Sequence, residues 1–193
     1  MAFPARPFFS SSRLTAYTTT VLLLASVVVN VVQASKLGAF TPSAPAGPVP
    51  GSAAPRLEAK TLDGQPREIS FIEQPTILYY FSPNCGWCEK NWLNVKALVA
   101  STEGRYRFIG LSTTPDVSSF VRGHRLTFDV YSGLSLETAR QYHFGPTPYT
   151  VVVSGDGTIE AAWGGAYVGP RQRSVERYFG LTLPGLVQTA PVE

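Results

Sequence analysis

Cys85-Gly86-Trp87-Cys88 places two thiols three residues apart, and the chain on either side decides what that spacing can do. Residues 76–81 form a continuous run of apolar and β-favouring side chains between Pro75 and Pro83, whereas Trp92, Val95, Leu98 and Val99 recur at helical spacing. The pair is therefore expected where a buried strand turns into a helix. A thiolate at a helix start faces unpaired backbone N–H groups and the positive end of the macrodipole, and both lower a thiol pKa from about 8.5. Cys85 is the nucleophile on this argument. Cys88 follows nearly one turn later, close enough for its sulfur to reach that of Cys85. The pair can then cycle: Cys85 attacks a disulfide, a mixed disulfide forms, and Cys88 displaces the product. Gly86 leaves the backbone uncrowded, and Trp87 offers a partly exposed apolar surface beside the attacking sulfur.

Two other uses of the pair are weaker. A permanent disulfide would close a loop too small to gain much unfolded-state entropy. A zinc site would need His124 and His143, whose separation of 19 residues does not match the usual two-histidine pattern. Neither a metal nor a cofactor is expected, and both histidines are read as solvent-facing or hydrogen-bonded helix residues. A second local feature is Thr147-Pro148, which enters an apolar run and is a candidate cis peptide. If the fold brings Thr147 beside Cys85, its N–H and C=O can pair with an extended peptide. Trp87, Thr147 and Pro148 are then the candidate substrate-binding residues, the alternative being an ordinary strand-entry proline.

The elements that position these groups are legible from patterning. Residues 56–60 and 66–70 read as two short strands around the turn Asp63-Gly64, and 76–81 as a central strand buried on both faces. A helix is expected over about 84–101, a second buried strand over 107–113, and a short helix over 115–124 with Thr114 as N-cap and Pro115 in its first turn. A short strand over 127–131 and a helix over 135–142 follow. Residues 148–154 and 158–163, joined by Gly155-Asp156-Gly157, carry the clearest hairpin signal, and 169–179 closes the domain as a helix. Alternating strands and helices with a terminal hairpin argue for an α/β fold, a central mixed sheet flanked by helices.

The chain has 193 residues, 44% hydrophobic and 15% charged, which excludes a disordered chain and suits one packed domain with accessory segments. Arg6, Arg13 and Lys36 are the only charges in residues 1–36, so the remaining chain holds 13 basic and 13 acidic residues. That neutral balance carries no electrostatic footprint for nucleic acid. The uncharged stretch of 22 residues between Arg13 and Lys36 is long enough to span a bilayer core, which takes roughly 20, with Thr15, Thr18 to Thr20, Ser26, Asn30 and Gln33 interrupting its apolar part. It reads as a membrane anchor or as a signal peptide cleaved at Ala34, and in either case the Arg6/Arg13 flank sends residues 37 onward across the membrane. Residues 38–55 hold five Pro, five Ala and three Gly without a charge, the composition of an extended stalk able to reach roughly 55 Å in polyproline II form. The expected organisation is an anchor or signal segment over 1–36, a linker over 37–54, a domain over 55–183 and a tail over 184–193.

Taken together, these residues resemble the thioredoxin superfamily, and within it the exported, often membrane-anchored TlpA/ResA-like thiol-disulfide oxidoreductases. The resemblance is carried by the lead-in 54–64, the strand-to-helix segment 77–88 with its Cys-Gly-Trp-Cys, and Phe144-Gly-Pro-Thr-Pro-Tyr149 with the hairpin after it. It implies a thioredoxin-like fold, Cys85 as nucleophile, Cys88 as resolving thiol and Pro148 as a cis-proline beside them. It further implies protein substrates bearing thiols or disulfides on the periplasmic side, among them apocytochromes in cytochrome c biogenesis, and a membrane redox partner. Two departures stand out. Tyr79 occupies the place where many thioredoxins carry a buried acid, and Asn91 the place where several TlpA/ResA-like proteins carry a glutamate, so Glu89 is the nearest carboxylate in sequence to Cys88. Two other functions remain open. One is a peroxiredoxin-like peroxidase, whose pattern Ser82 fits and Leu78 does not; the other is a non-catalytic binding module with a structural disulfide.

Overall fold

The structure is a computed structural model that describes residues 11–39, 48–72 and 74–187. Arg6, residues 40–47 of the expected stalk and residues 188–193 of the expected tail lie outside the described residues. An N-terminal helix and a domain form separate compact units.

The N-terminal helix, α1, spans Ser11–Ala39. Its segment Thr15–Gln33, 19 residues with mean hydropathy 1.8, is long and apolar enough to cross a membrane by length and composition. Several of the polar interruptions are absorbed locally. The Thr19 hydroxyl donates to the Thr15 carbonyl at 2.7 Å and the Thr20 hydroxyl to the Ala16 carbonyl at 2.9 Å, so these groups are satisfied without water.

In the domain, strands β1 (Leu57–Lys60) and β2 (Pro66–Ile69) form the expected antiparallel hairpin. The central sheet comprises β3 (Thr76–Tyr80), β4 (Arg107–Leu111), β5 (Asp129–Tyr131), β6 (Tyr149–Val153) and β7 (Ile159–Gly164) in the order β5-β4-β3-β6-β7. β3 and β4, and β4 and β5, are parallel, whereas β6 is antiparallel to both β3 and β7. The helices are α2 (Gly86–Thr102), α3 (Ser118–His124), α4 (Leu136–Gln141) and α5 (Gly169–Phe179).

Alternation along β3 explains why its sequence is apolar throughout. Ile77 and Tyr79 face one core with Trp92, Val95 and Leu98 of α2 and Val175 and Phe179 of α5. Leu78 faces the other, with Leu57 and Ile69 of the hairpin and Ala139 of α4. Trp92 shows which effect prevails inside the first core. Its indole N–H has no partner among the described residues, which costs about 1–3 kcal/mol. Its ring, however, lies 5.7 Å from those of Tyr79 and Phe81 and 5.5 Å from Phe120, and losing such a side chain costs about 3–5 kcal/mol. Packing wins.

One helix starts later than its sequence signal. Thr114 and Pro115 do not open α3; the N-cap position falls to Val117, without a side-chain cap bond. Thr114 is held in the preceding loop, where its N–H donates to Ser112 Oγ at 3.2 Å and its carbonyl accepts from Gly133 at 3.1 Å. Asp116 accepts from the Ser118 N–H at 2.8 Å instead.

Chain on either side of the expected domain is also bonded to it. Gly51 donates to the Ile159 carbonyl and Ala54 to the Gly157 carbonyl, each at 2.8 Å, so residues 51–54 of the expected linker pair with the β6–β7 turn. Gly185 donates to Asn94 Oδ1 at 2.8 Å and Val187 to the Lys90 carbonyl at 2.9 Å, tying residues 185–187 to α2.

Candidate active site

β3 delivers the chain to Cys85, which caps α2. Cys85 has extended backbone geometry (φ −93°, ψ 106°), its carbonyl accepts from the Glu89 N–H at 3.0 Å, and its sulfur accepts from the Cys88 N–H at 3.1 Å. Sulfur thus takes the role that a serine or aspartate oxygen usually plays at a helix N-terminus. Cys85 is half-buried, and Cys88 behind it is fully buried; both are free thiols.

The strand-entry proline arrives from the other side. The Thr147–Pro148 peptide is cis, and the Cys85 thiol donates to the Thr147 carbonyl at 3.3 Å. Trp87 is 55% exposed beside the thiol, with Lys90 Nζ 5.4 Å from the centre of its ring. The structure therefore gathers Cys85, Cys88, Trp87, Thr147 and Pro148 at the end of the sheet where β3 stops and β6 begins.

The two thiols differ electrostatically. Burial raises the pKa of Cys85, but hydrogen bonding to its sulfur from the side chains of Cys88 and Thr147 and the backbone of Cys88 and Trp87 outweighs that effect and brings it below its ordinary value. Cys88 goes the other way: burial first, then the hydrogen bond and charge of Cys85, push it up to about 12. Only Cys85 is therefore expected to react with iodoacetamide near neutral pH. Its alkylation rate should reach half its plateau at a pH below the roughly 8.5 of free cysteine, because a depressed pKa supplies thiolate earlier in the titration. A half-point at or above that value, read by mass spectrometry of the labelled peptide, would contradict the asymmetry.

The surroundings of Cys88 are neutral. Asn91, one turn further along α2, donates to the Tyr79 hydroxyl at 3.3 Å and accepts from the Tyr167 N–H and from Asn94 Nδ2, each at 3.0 Å. Asn94 also donates to the Tyr167 carbonyl at 3.3 Å, and Thr150 shares a 2.6 Å hydrogen bond with the Tyr167 hydroxyl. All five residues are fully buried. Burial pushes Tyr79 well above its ordinary pKa, so it stays protonated. Glu89 does not turn toward the thiols: its carboxylate pairs with His124 Nε2 at 3.2 Å, while the His124 ring lies 4.2 Å from that of Phe120. His143 is exposed and distant in the chain, just after α4. Tyr79 and Asn91 were visible in the sequence as departures; Asn94, Thr150 and Tyr167 were not, because their meeting depends on α2, β6 and the loop before α5 packing together.

A model of the AhpC/TSA family matches residues 50–162, well over half of the chain. The chain belongs to the AhpC/TSA family. Among curated relatives, the methylamine utilization protein MauD of Methylobacillus flagellatus is 31% identical over 119 residues, covering 60% of this chain and 57% of that protein. MauD of Paracoccus denitrificans is 28% identical over 118 residues, with 60% and 58% covered. The match thus spans somewhat more than half the length of these relatives. Among solved structures, a putative protein disulfide isomerase from Bacteroides thetaiotaomicron superposes with a TM-score of 0.58 at 16% identity, covering 70% of this chain and 90% of that one. StoA from Bacillus subtilis gives 0.51 at 20% identity, with 66% and 98% covered. These likenesses establish a thioredoxin-like fold for this AhpC/TSA family member, as the sequence resemblance implies.

Proposed function

We propose that this chain is a thiol-disulfide oxidoreductase that acts on protein cysteines on the outer side of a membrane, to which α1 tethers or directs it. One observation carries the reading: a half-buried thiol caps a helix with depressed pKa, while a fully buried thiol of raised pKa waits one turn behind it. The descriptions of several structures of similar fold, among them a thiol-disulfide oxidoreductase from Bacteroides fragilis, agree with it.

The Cys85 thiolate attacks one sulfur of a substrate disulfide. The substrate S–S bond breaks, the departing sulfur takes a proton from solvent, and a mixed disulfide remains on Cys85. The Cys88 sulfur then attacks Cys85 Sγ and expels the second substrate sulfur, and the Cys88 proton passes to that sulfur as the bond to Cys85 breaks. The substrate gains two electrons and the cysteine pair loses them; run backwards, the same steps oxidise a dithiol. The Thr147 carbonyl and the Trp87 surface bound the space in which the substrate segment lies against Cys85.

The test is a trap. In the full chain with Cys88→Ser, the first attack proceeds and the second does not, so covalent complexes reversed by dithiothreitol should accumulate on non-reducing gels. They should vanish when Cys85 is also replaced. Equal complex formation without Cys85 would sink the reading, and partner binding that survives loss of both thiols would point to a binding module. Peroxide turnover with a thiol donor and no trapped protein would favour a peroxidase.

A further inference from the structure

A groove of about 390 Å³ opens beside the Cys85–Thr147 contact, walled by Trp87, Pro146, Tyr149, Val168 and Arg171, with Gly164 and Gly165 as its floor. The two glycines make the walls close. A Cβ at Gly164 would meet the Tyr149 ring at 2.8 Å, and one at Gly165, where φ is +94°, would meet Arg171 Nη1 at 2.9 Å. Arg171 is the only charged residue among the described residues that line the groove. Nη1 donates to the Ala166 carbonyl at 2.9 Å, which fixes the guanidinium in the wall. None of the ion pairs among the described residues engages it, so its remaining N–H donors carry a positive charge with no counterion among the described residues that line the groove.

A guanidinium held this way is matched by a carboxylate, which it can grip through two parallel N–H···O bonds. Arg171 is half-buried against apolar walls, so solvent screens the attraction less than it screens a fully exposed surface pair. Building on the proposed thiol exchange, we propose that Arg171 makes the site selective for polypeptide segments in which an acidic side chain lies near the reactive cysteine, with a neighbouring apolar side chain covering Trp87 and Tyr149. The charge sits on α5, 86 residues from Cys85, and belongs to substrate choice rather than to the sulfur chemistry.

The experiment compares two peptide disulfides, identical except for Glu or Gln near the cysteine, reacted with the reduced full chain and followed by mass spectrometry. The Glu peptide should react about three- to tenfold faster at low salt, an advantage between that of an exposed ion pair and a charged hydrogen bond, and the advantage should shrink as salt rises. Arg171→Gln should bring the ratio to about one, Arg171→Glu should invert it, and Arg171→Lys should keep part of it. A ratio near one in the unaltered chain, or one unchanged by Arg171→Gln, would overturn the selectivity while leaving thiol exchange standing. Oxidised glutathione reacting as fast as the Glu peptide would also overturn it, in favour of a small carboxylated thiol. Exchange with none of these disulfides would remove the oxidoreductase reading itself, and the selectivity with it.

Discussion

Replacing Cys85 by serine is expected to lower exchange with a peptide disulfide by about a thousandfold or more while leaving the domain almost as stable as before. The two halves of that expectation come from the two roles that one sulfur performs. In the proposed exchange Cys85 has no substitute as nucleophile: a serine hydroxyl stays protonated at neutral pH, no histidine or carboxylate among the described residues pairs with it, and removal of an attacking group commonly costs several orders of magnitude. As a helix cap, the sulfur accepts from the Cys88 N–H at 3.1 Å, and serine is among the best residues for that task. Cys85→Ala separates the roles, because it loses nucleophile and cap together and should be about 1 kcal/mol less stable than Cys85→Ser in urea. Substantial exchange by Cys85→Ser would remove Cys85 from the mechanism. A serine variant no more stable than the alanine one would remove the cap.

Asn91→Leu is expected to have the largest effect on stability, about 2–6 kcal/mol, although leucine is close in size and suits a helix. Leucine would leave the Tyr167 N–H and the Tyr79 hydroxyl buried without the partners Asn91 gives them, and would leave Asn94 Nδ2 only its bond to the Tyr167 carbonyl. Each fully orphaned group costs about 1–3 kcal/mol, because it gave up water on folding and receives nothing in exchange. Against a total stability of about 5–15 kcal/mol, that loss places the variant near the edge of folding. Urea denaturation of the unaltered and Asn91→Leu chains reads it directly. A difference below about 0.5 kcal/mol would mean that the hydrogen bonds around Cys88 are readily replaced.

What the sequence disclosed about this molecule was whatever depends on neighbours in the chain. The apolar run before Cys85, the helical spacing after Cys88 and the Gly155-Asp156-Gly157 turn are local, and β3, α2 and the β6–β7 hairpin lie where they indicate. Thr147-Pro148 was a candidate from its own dipeptide, but its place against Cys85 follows from β6 pairing antiparallel with β3, which brings Tyr149 opposite Tyr80. Thr114 and Pro115 misled because a good helix-start dipeptide was claimed by a loop bond to Gly133, a residue that belongs to another part of the fold. Arg171 left no trace: an arginine near the start of a helix is common, and only packing against Gly165 turns it into the wall of a groove. The neutrality around Cys88 was half legible, since Tyr79 and Asn91 stood out as the wrong residue types for a proton acceptor while their buried partners did not.

The pairing of residues 51–54 with the β6–β7 turn also gives the domain a direction. That turn follows Val153, which pairs with Thr76 at the start of β3, whereas Cys85 lies beyond the other end of the same strand. The polypeptide consequently joins the domain at one pole and exposes its reactive sulfur at the opposite one. A resin, a surface or a fusion partner coupled ahead of residue 48 holds the domain by its back, leaving the thiol face and its groove to sample the solution, and a chain built this way can work while fastened down.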